Sequence, residues 1–286
     1  MIKYISLIFA SLSFSTFSIV AVDLENGLVG SAGASCIAGS IIISDIHPGV
    51  GAIHTQSYWS GYNQIMASDM MDLGLSPNEI IDYIVENDVS NNPTIRQYGI
   101  VDIYNDGRSA AYTGSNCMDY KDHILGPNYA IQGNILLDEN ILLSMEQSFN
   151  ETIGTFTDKL MAALQGANVA GADSRCLDNN TSSLSAFIRV AKPLDEEDDY
   201  YLDLNVNNTS NGNEPIDLLQ ELYNQWMQDQ DPIGDISGDG ILDILDLIII
   251  IDFILEEIFD INGDINFDGG LNIQDIVLIL NNILGR

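Results

Sequence analysis

Two strand-like runs open the readable part of the chain, Thr16–Asp23 and Leu28–Cys36, with Glu25-Asn26-Gly27 between them. An Asn-Gly pair between two such runs predicts a β-hairpin. The second run is rich in Gly, Ala and Ser, which lets a backbone or a ligand approach closely. Further strands are predicted at Gly49–Gln56, Tyr98–Tyr104, Ser109–Thr113 and Leu184–Ala191, with Asn105-Asp106-Gly107 turning a second hairpin. Ser76-Pro77-Asn78-Glu79 is a capping box with Pro at the first helical position, and it opens an amphipathic run to about Asn87. Helical spacing also marks Leu136–Asn150, Thr157–Leu164 and Ile216–Gln228. Strands and helices interleave without regular parallel crossovers, which predicts an α+β fold built of stacked layers.

A short polar stretch at 229–233 separates this main domain, 16–228, from a tail, 234–286. The tail repeats itself with a period of 29 residues, from Asp235 to Asp264. Its first loop places Asp235, Ser237, Asp239, Ile241, Asp243 and Asp246 where a calcium loop carries its ligands. The second places Asp264, Asn266, Asp268, Gly270, Asn272 and Asp275 there. Gly240 and Gly269 stand where the chain must turn sharply, and Ile241 and Gly270 offer backbone carbonyls. Apolar helices, Ile244–Ile258 and Ile273–Leu284, follow the loops. Two Ca²⁺ ions are therefore expected. Without them the carboxylates of each loop repel one another, so metal binding and folding of the tail are coupled.

Composition narrows the setting. With 46% apolar and 18% charged residues the chain is globular, but 9 Lys and Arg against 42 Asp and Glu leave a net charge of −33. That field repels phosphate backbones and anionic lipids, which excludes nucleic-acid binding. Residues 1–15 combine an early Lys3, an apolar run and small residues at Ser13 and Ser15, a short signal-peptide pattern. No stretch is long and apolar enough to predict a membrane span. A secreted or extracellular location follows, cell-surface attachment included. Cys36, Cys117 and Cys176 allow one disulfide, and their spacing leaves all three pairings open. His47, His54 and His123 show no metal or triad spacing, and His54 is read as ordinary packing.

The paired loops, each with an exiting helix and no incoming one, resemble a type I dockerin domain. That resemblance implies a cohesin-like partner on a scaffold or cell surface. Ile244-Leu245 and Ile273-Gln274 correspond to its recognition positions, and contact or core is equally open for them. In the main domain, Thr16–Asp23, Gly49–Gln56, Tyr112-Thr113-Gly114, Gln132-Gly133-Asn134 and Gly171-Ala172-Asp173-Ser174-Arg175 resemble motifs of domain-of-unknown-function family 1028. That family is similar to the N-terminal nucleophile (Ntn) hydrolases, which implies a four-layer αββα sandwich. It also suggests a Cys36–Cys176 disulfide, because Cys117 matches a common family residue and the other two look like additions.

Cleavage after Ser15 would make Thr16 the first residue and free its α-amine. With an ordinary pKa of about 7.7–8, that amine can take the proton of the Thr16 hydroxyl. Gln56, Gln132 and Asn134 are candidate donors to an oxyanion, Asp173 could orient the amine, and Arg175 could hold a substrate carboxylate. Each also has a structural alternative: an Asp173–Arg175 ion pair, or turn hydrogen bonds for Gln132-Gly133-Asn134. Two functions are expected from these residues. One is an Ntn-type amidohydrolase and the other a non-catalytic binding protein, both assembled through the tail, with polysaccharide degradation as a possible setting.

Overall fold

A computed structural model of the protein describes residues 16–209, 212–228, 232–239, 241–266 and 268–284. The expected leader, 1–15, lies outside the described residues, as do 229–231 of the expected linker and Gly240. The chain divides into two compact units, the first ending at Leu222 and the second beginning at Tyr223. The boundary thus falls inside helix α5 (Pro215–Gln228) and not after it.

The first unit is a mixed α+β structure of two antiparallel sheets and helices. One sheet contains β1 (Thr16–Asp23), β2 (Leu28–Ser35), β7 (Asp122–Leu125), β8 (Tyr129–Asn134), β9 (Ser185–Ala191) and β10 (Leu202–Val206). Its order is β10-β9-β2-β1-β8-β7, so the first strand of the unit lies near its centre. The other sheet has the order β3-β4-β5-β6, from Ser44–His47, Gly51–Ser57, Arg96–Asp102 and Arg108–Thr113. Both predicted hairpins form, and Asn105, Asp106 and Gly107 adopt φ of 53°, 62° and 86°, the left-handed conformation that Asn, Asp and Gly tolerate best.

Side chains alternate across each strand, and both faces of the central strands are buried. Val20 and Val22 of β1 pack with Val29, Ala52, Val101, Ala130 and Ala191, joining the two sheets face to face. The opposite face of the second sheet, with Ile53, Tyr98, Ile100 and Ala110, packs against α1 (Gly61–Asp72) and α2 (Pro77–Glu86). On the far side of the first sheet, α4 (Phe156–Gly166) lies so close to β2 that a Cβ on Gly30 would stand 2.4 Å from Leu160 Cδ1. Its neighbour α3 (Asn140–Glu151) buries Leu142 and Met145. The predicted capping box at Ser76 is present, and Thr155 with Asp158 forms another on α4.

The disulfide joins Cys36 to Cys176, with Cα atoms 5.7 Å apart across 140 residues of sequence. Cys117 is buried, and its thiol donates to the Arg96 carbonyl over 3.2 Å. Burial raises the Cys117 pKa.

The second unit contains α6 (Ile244–Leu255) and α7 (Ile273–Ile283), shorter at their C-terminal ends than the spacing predicts. Leu247, Ile250 and Ile279 form its small core. The two loops brace each other there: a Cβ on Gly263 would meet Ile236 Cδ1 at 2.7 Å, and one on Gly234 would meet Ile265 Cδ1 at 2.9 Å. Ile244 and Ile273 are about 70% exposed, at 70% and 71%, so they lie outside that core. Among the described residues no helix is long and apolar enough to cross a membrane.

Candidate functional site

At one end of the layer between the sheets the alternation that buries Val20 and Val22 buries polar groups instead. Thr16, Ser18, Gln56, Gln97, Gln132 and Asn134 are all fully buried there. Burying hydroxyls and amides costs free energy unless each finds a partner, and here most of them bond to one another, with Gln132 Oε1 left over. Gln132 Nε2 donates to Ser18 Oγ at 2.7 Å, and Ser18 Oγ donates to Gln56 Oε1 at 2.7 Å. Gln56 Nε2 donates to the Thr16 carbonyl at 3.3 Å and to Gln97 Oε1 at 2.8 Å. Asn134 is the register partner of Thr16 on β8, and its Nδ2 donates to Gln97 Oε1 at 3.0 Å.

The chain of bonds continues away from Thr16. Gln132 Nε2 also lies 3.2 Å from His54 Nδ1, and His54 Nε2 lies 2.5 Å from Ser31 Oγ, which donates to Ser44 Oγ. An amide nitrogen at Nδ1 requires that atom to accept, so the ring is the Nε2–H tautomer and donates to Ser31. Burial pushes the His54 pKa down to about 3, so the ring is neutral. His54 meets Phe187 edge-on at 5.9 Å. The packing role read for it thus holds, with a hydrogen-bonding role that its sequence context did not suggest. Gly99 makes room for the Gln132 amide, since a Cβ there would stand 1.9 Å from Oε1.

Several sequence-predicted residues therefore meet at the Thr16 end, but not all in the expected capacity. Both N–H groups of Gln56 and both of Gln132 are engaged within the layer, so these two amides orient their neighbours and do not point donors at an oxyanion. Gln132-Gly133-Asn134 is not a turn but the end of a buried strand. Asp173 is fully buried and grips Arg175 through Nε at 3.1 Å and Nη2 at 2.8 Å, while accepting the Cys36 backbone N–H at 2.7 Å. That is the structural ion pair, made bidentately through the Nε–Nη2 edge of the guanidinium. The disulfide anchors the same segment, whose backbone pairs Leu136 with Asp173.

Two further features shape this end. Ile135 follows Asn134 with φ of 55°, a conformation rare for a β-branched residue, and its N–H donates to the Met118 carbonyl at 3.0 Å. Arg96, across from Ser57, donates to Asp88 through Nε at 2.7 Å and to the Tyr58 carbonyl, which pins the connection from β4 to α1. Burial raises the Asp88 pKa, but the bonds from Arg96, the Asn92 N–H and Asn63 outweigh it and hold the carboxyl at about 2. Ser18 carries no sequence signal beyond a polar residue inside a strand-like run, and Gln97 stands just before the run at Tyr98–Tyr104.

In the second unit, Asp235, Asp246, Asp264 and Asp275 are at most 5% exposed. Asp235 Oδ1 accepts the N–H groups of Gly238 and Asp239, and Asp246 accepts those of Ser237 and Asp243. Asp264 accepts from Asp268 and Gly269, and Asp275 accepts from Ile265, Asn266 and Asn272. Gly269 turns its loop at φ 77°. Each loop is thus closed on itself by its first and last carboxylates. Among the described residues no three acidic, His or Cys side chains converge on a common point. The remaining predicted ligands, Ser237, Asp239, Asp243, Asn266, Asp268 and Asn272, bond to groups within their own loops.

The sequence pattern of a family of unknown function, DUF1028, matches residues 16–218. The fold is similar to the crystal structure of protein SPO2555 from Silicibacter pomeroyi, a protein of the same family pattern. The TM-score is 0.61 at 24% identity over 74% of this chain and 88% of that one. At that identity the likeness shows the fold. No curated protein matches. The chain, with Thr16 as the first residue of the matched span, belongs to the DUF1028 family.

Proposed function

We propose that the protein is a secreted Ntn-type amidohydrolase with Thr16 as nucleophile, carried on a calcium-dependent dockerin tail that holds it to a cohesin-like partner. On this reading the two sheets with α1 and α2 on one side and α3 and α4 on the other form the four-layer αββα sandwich of such enzymes. The observation that carries the proposal is the position of Thr16. It begins a central strand directly after a signal-peptide pattern, and Gln56 and Asn134 hold it through its carbonyl and its cross-strand register.

The chemistry balances with the groups of one residue. The α-amine takes the Oγ proton as Oγ attacks the amide carbonyl, and the resulting ammonium returns a proton to the leaving amine as the C–N bond breaks. Water then hydrolyses the ester at Thr16.

In the tail, Asp235, Ser237, Asp239, Asp243 and Asp246 with the Ile241 carbonyl would hold one Ca²⁺. Asp264, Asn266, Asp268, Asn272 and Asp275 with the Gly270 carbonyl would hold the other. The fit rests on charge: from Pro193 to Gly285 the chain has no Lys, Arg or His, so the buried carboxylates need a cation from solution. The exposed Ile244 and Leu245, with Ile273 and Gln274, suit the docking role.

The test starts with the mature N-terminus, read by mass spectrometry of the secreted protein. A chain beginning at Thr16 that hydrolyses an amide in a substrate screen, and loses this in Thr16→Ala, supports the proposal. A chain beginning elsewhere has no such base and overturns it. The engagement of all the N–H groups of Gln56 and Gln132 favours a second reading, a non-catalytic binding protein assembled by the same tail, which tolerates Thr16→Ala.

A further inference from the structure

We infer that Gln97 is the positioning residue of the Thr16 site, acting through the one oxygen on which the Gln56 and Asn134 amides converge. This deepens the reading of Thr16 as nucleophile and rests on it. Gln97 stands on β5, in the opposite sheet from Thr16, and is fully buried. Its Oε1 accepts from Gln56 Nε2 at 2.8 Å and from Asn134 Nδ2 at 3.0 Å, which engages both lone pairs of that oxygen. Its Nε2 faces the Gly133 carbonyl at 2.8 Å, Thr113 Oγ1 at 2.9 Å and the Asp122 carbonyl at 3.0 Å.

The amide is therefore fixed at both ends, and the two side chains it fixes are the ones that bracket Thr16. Gln56 reaches the Thr16 carbonyl, and Asn134 is its cross-strand partner. Remove Oε1 and both amides lose their common anchor. Thr16 then shifts relative to any bound acyl group, and a misplacement of about 1 Å already slows an attack that depends on alignment. A merely structural glutamine would act on stability alone.

Two probes of the full mature chain separate these roles. Sodium periodate cleaves an N-terminal threonine between its amine-bearing and hydroxyl-bearing carbons and reports only that Thr16 is terminal and reachable. A β-lactone reports its reactivity: Oγ bonds to the lactone carbonyl carbon, the ring C–O bond breaks, the ring oxygen takes the Oγ proton, and the chain gains the mass of the whole lactone. Intact-mass time courses over a range of lactone concentrations give the maximal acylation rate and the half-saturating concentration.

Gln97→Met is expected to lower the maximal rate about tenfold or more, with half-saturation and periodate cleavage unchanged. Gln97→Glu keeps an acceptor oxygen for the two amides but loses the donors. It is expected to recover most of the rate while melting below wild type. The inference is overturned if Gln97→Met is acylated at the wild-type rate, or if both variants lose acylation in step with their melting temperatures. A wild type that forms no lactone adduct overturns the reading of Thr16 itself and Gln97's role with it.

Discussion

The two units treat buried polar atoms in opposite ways. Between the sheets of the first unit, amides and hydroxyls from both sides satisfy one another, from Ser44 through His54, Gln132 and Ser18 to Gln56 and Gln97. All of them are neutral, and one buried acceptor of the layer, Gln132 Oε1, is left without a hydrogen bond. In the second unit the buried groups are carboxylates that accept N–H groups and, at Asp235, the Ser237 hydroxyl of their own loops, in a stretch without a basic side chain. A neutral network can be closed by geometry alone, whereas a buried set of like charges is stable only with a counter-ion.

The largest expected consequence is that chelating divalent cations abolishes the folding transition of the second unit and leaves that of the first in place. Calorimetry with and without excess calcium checks this, and a second unit that melts identically in chelator breaks the contrast. Next, replacing Cys36 and Cys176 together by Ser should cost the first unit about 2–5 kcal/mol, because the cross-link closes a long loop, and leave the second unit's transition unmoved. Ser18→Ala should cost about 1–3 kcal/mol in denaturant unfolding, since it strands the buried Gln56 Oε1. If Ser18→Ala is as mild as a surface change, the layer is less complete than its bonds imply.

The smallest effect concerns His47, which bridges β3 and α1 through Asp45 at 3.6 Å and Asp72 at 2.8 Å. Burial lowers its pKa, but the two carboxylates outweigh that, and the net shift is upward. A group whose pKa is raised by folding stabilises the folded chain below its unfolded value, near 6.5, and loses that contribution as pH rises through the folded value. His47→Gln should therefore melt below wild type by a degree or so near pH 5.5, on the order of a surface ion pair, and converge with it by about pH 8.5. Parallel melting curves across that range would remove His47 from the account.

What could be read in advance follows the strength of local signals. Both hairpins, the Ser76 cap and the duplicated loops rest on turn and cap chemistry that acts within a few residues, and each appears where its residues stand. Helix α1 gives no clear period because Asn63 and Asp69 fall among Tyr62, Ile65, Met66 and Met70 and interrupt its apolar side. Strand β8 was missed because Gln132 and Asn134 look like loop residues until the opposite sheet supplies Ser18 and Gln97. β7 is short and largely exposed, with no apolar alternation. Helix α3 starts later than its apolar pattern because Leu137 donates instead to the Ala172 carbonyl. At the site, Thr16, Asp173 and Arg175 were legible as residues, but which atoms their neighbours leave available depends on partners distant in sequence.

The place of β1 in the sheet also sets the order in which the chain can fold. Its hairpin with β2 is local, but its other edge waits for β8, as in the Gln132–Ser18 bond across 114 residues, and β2 waits for β9. Such long-range pairings must close large loops before they return any stabilisation, which slows folding. A growing chain that has passed Ser35 but not reached Asn134 presents a hairpin with two open, apolar edges, the kind of surface that recruits other strands. Strand β1 is thus made early and secured late, and the molecule is most exposed to misassembly before its own middle has been synthesised.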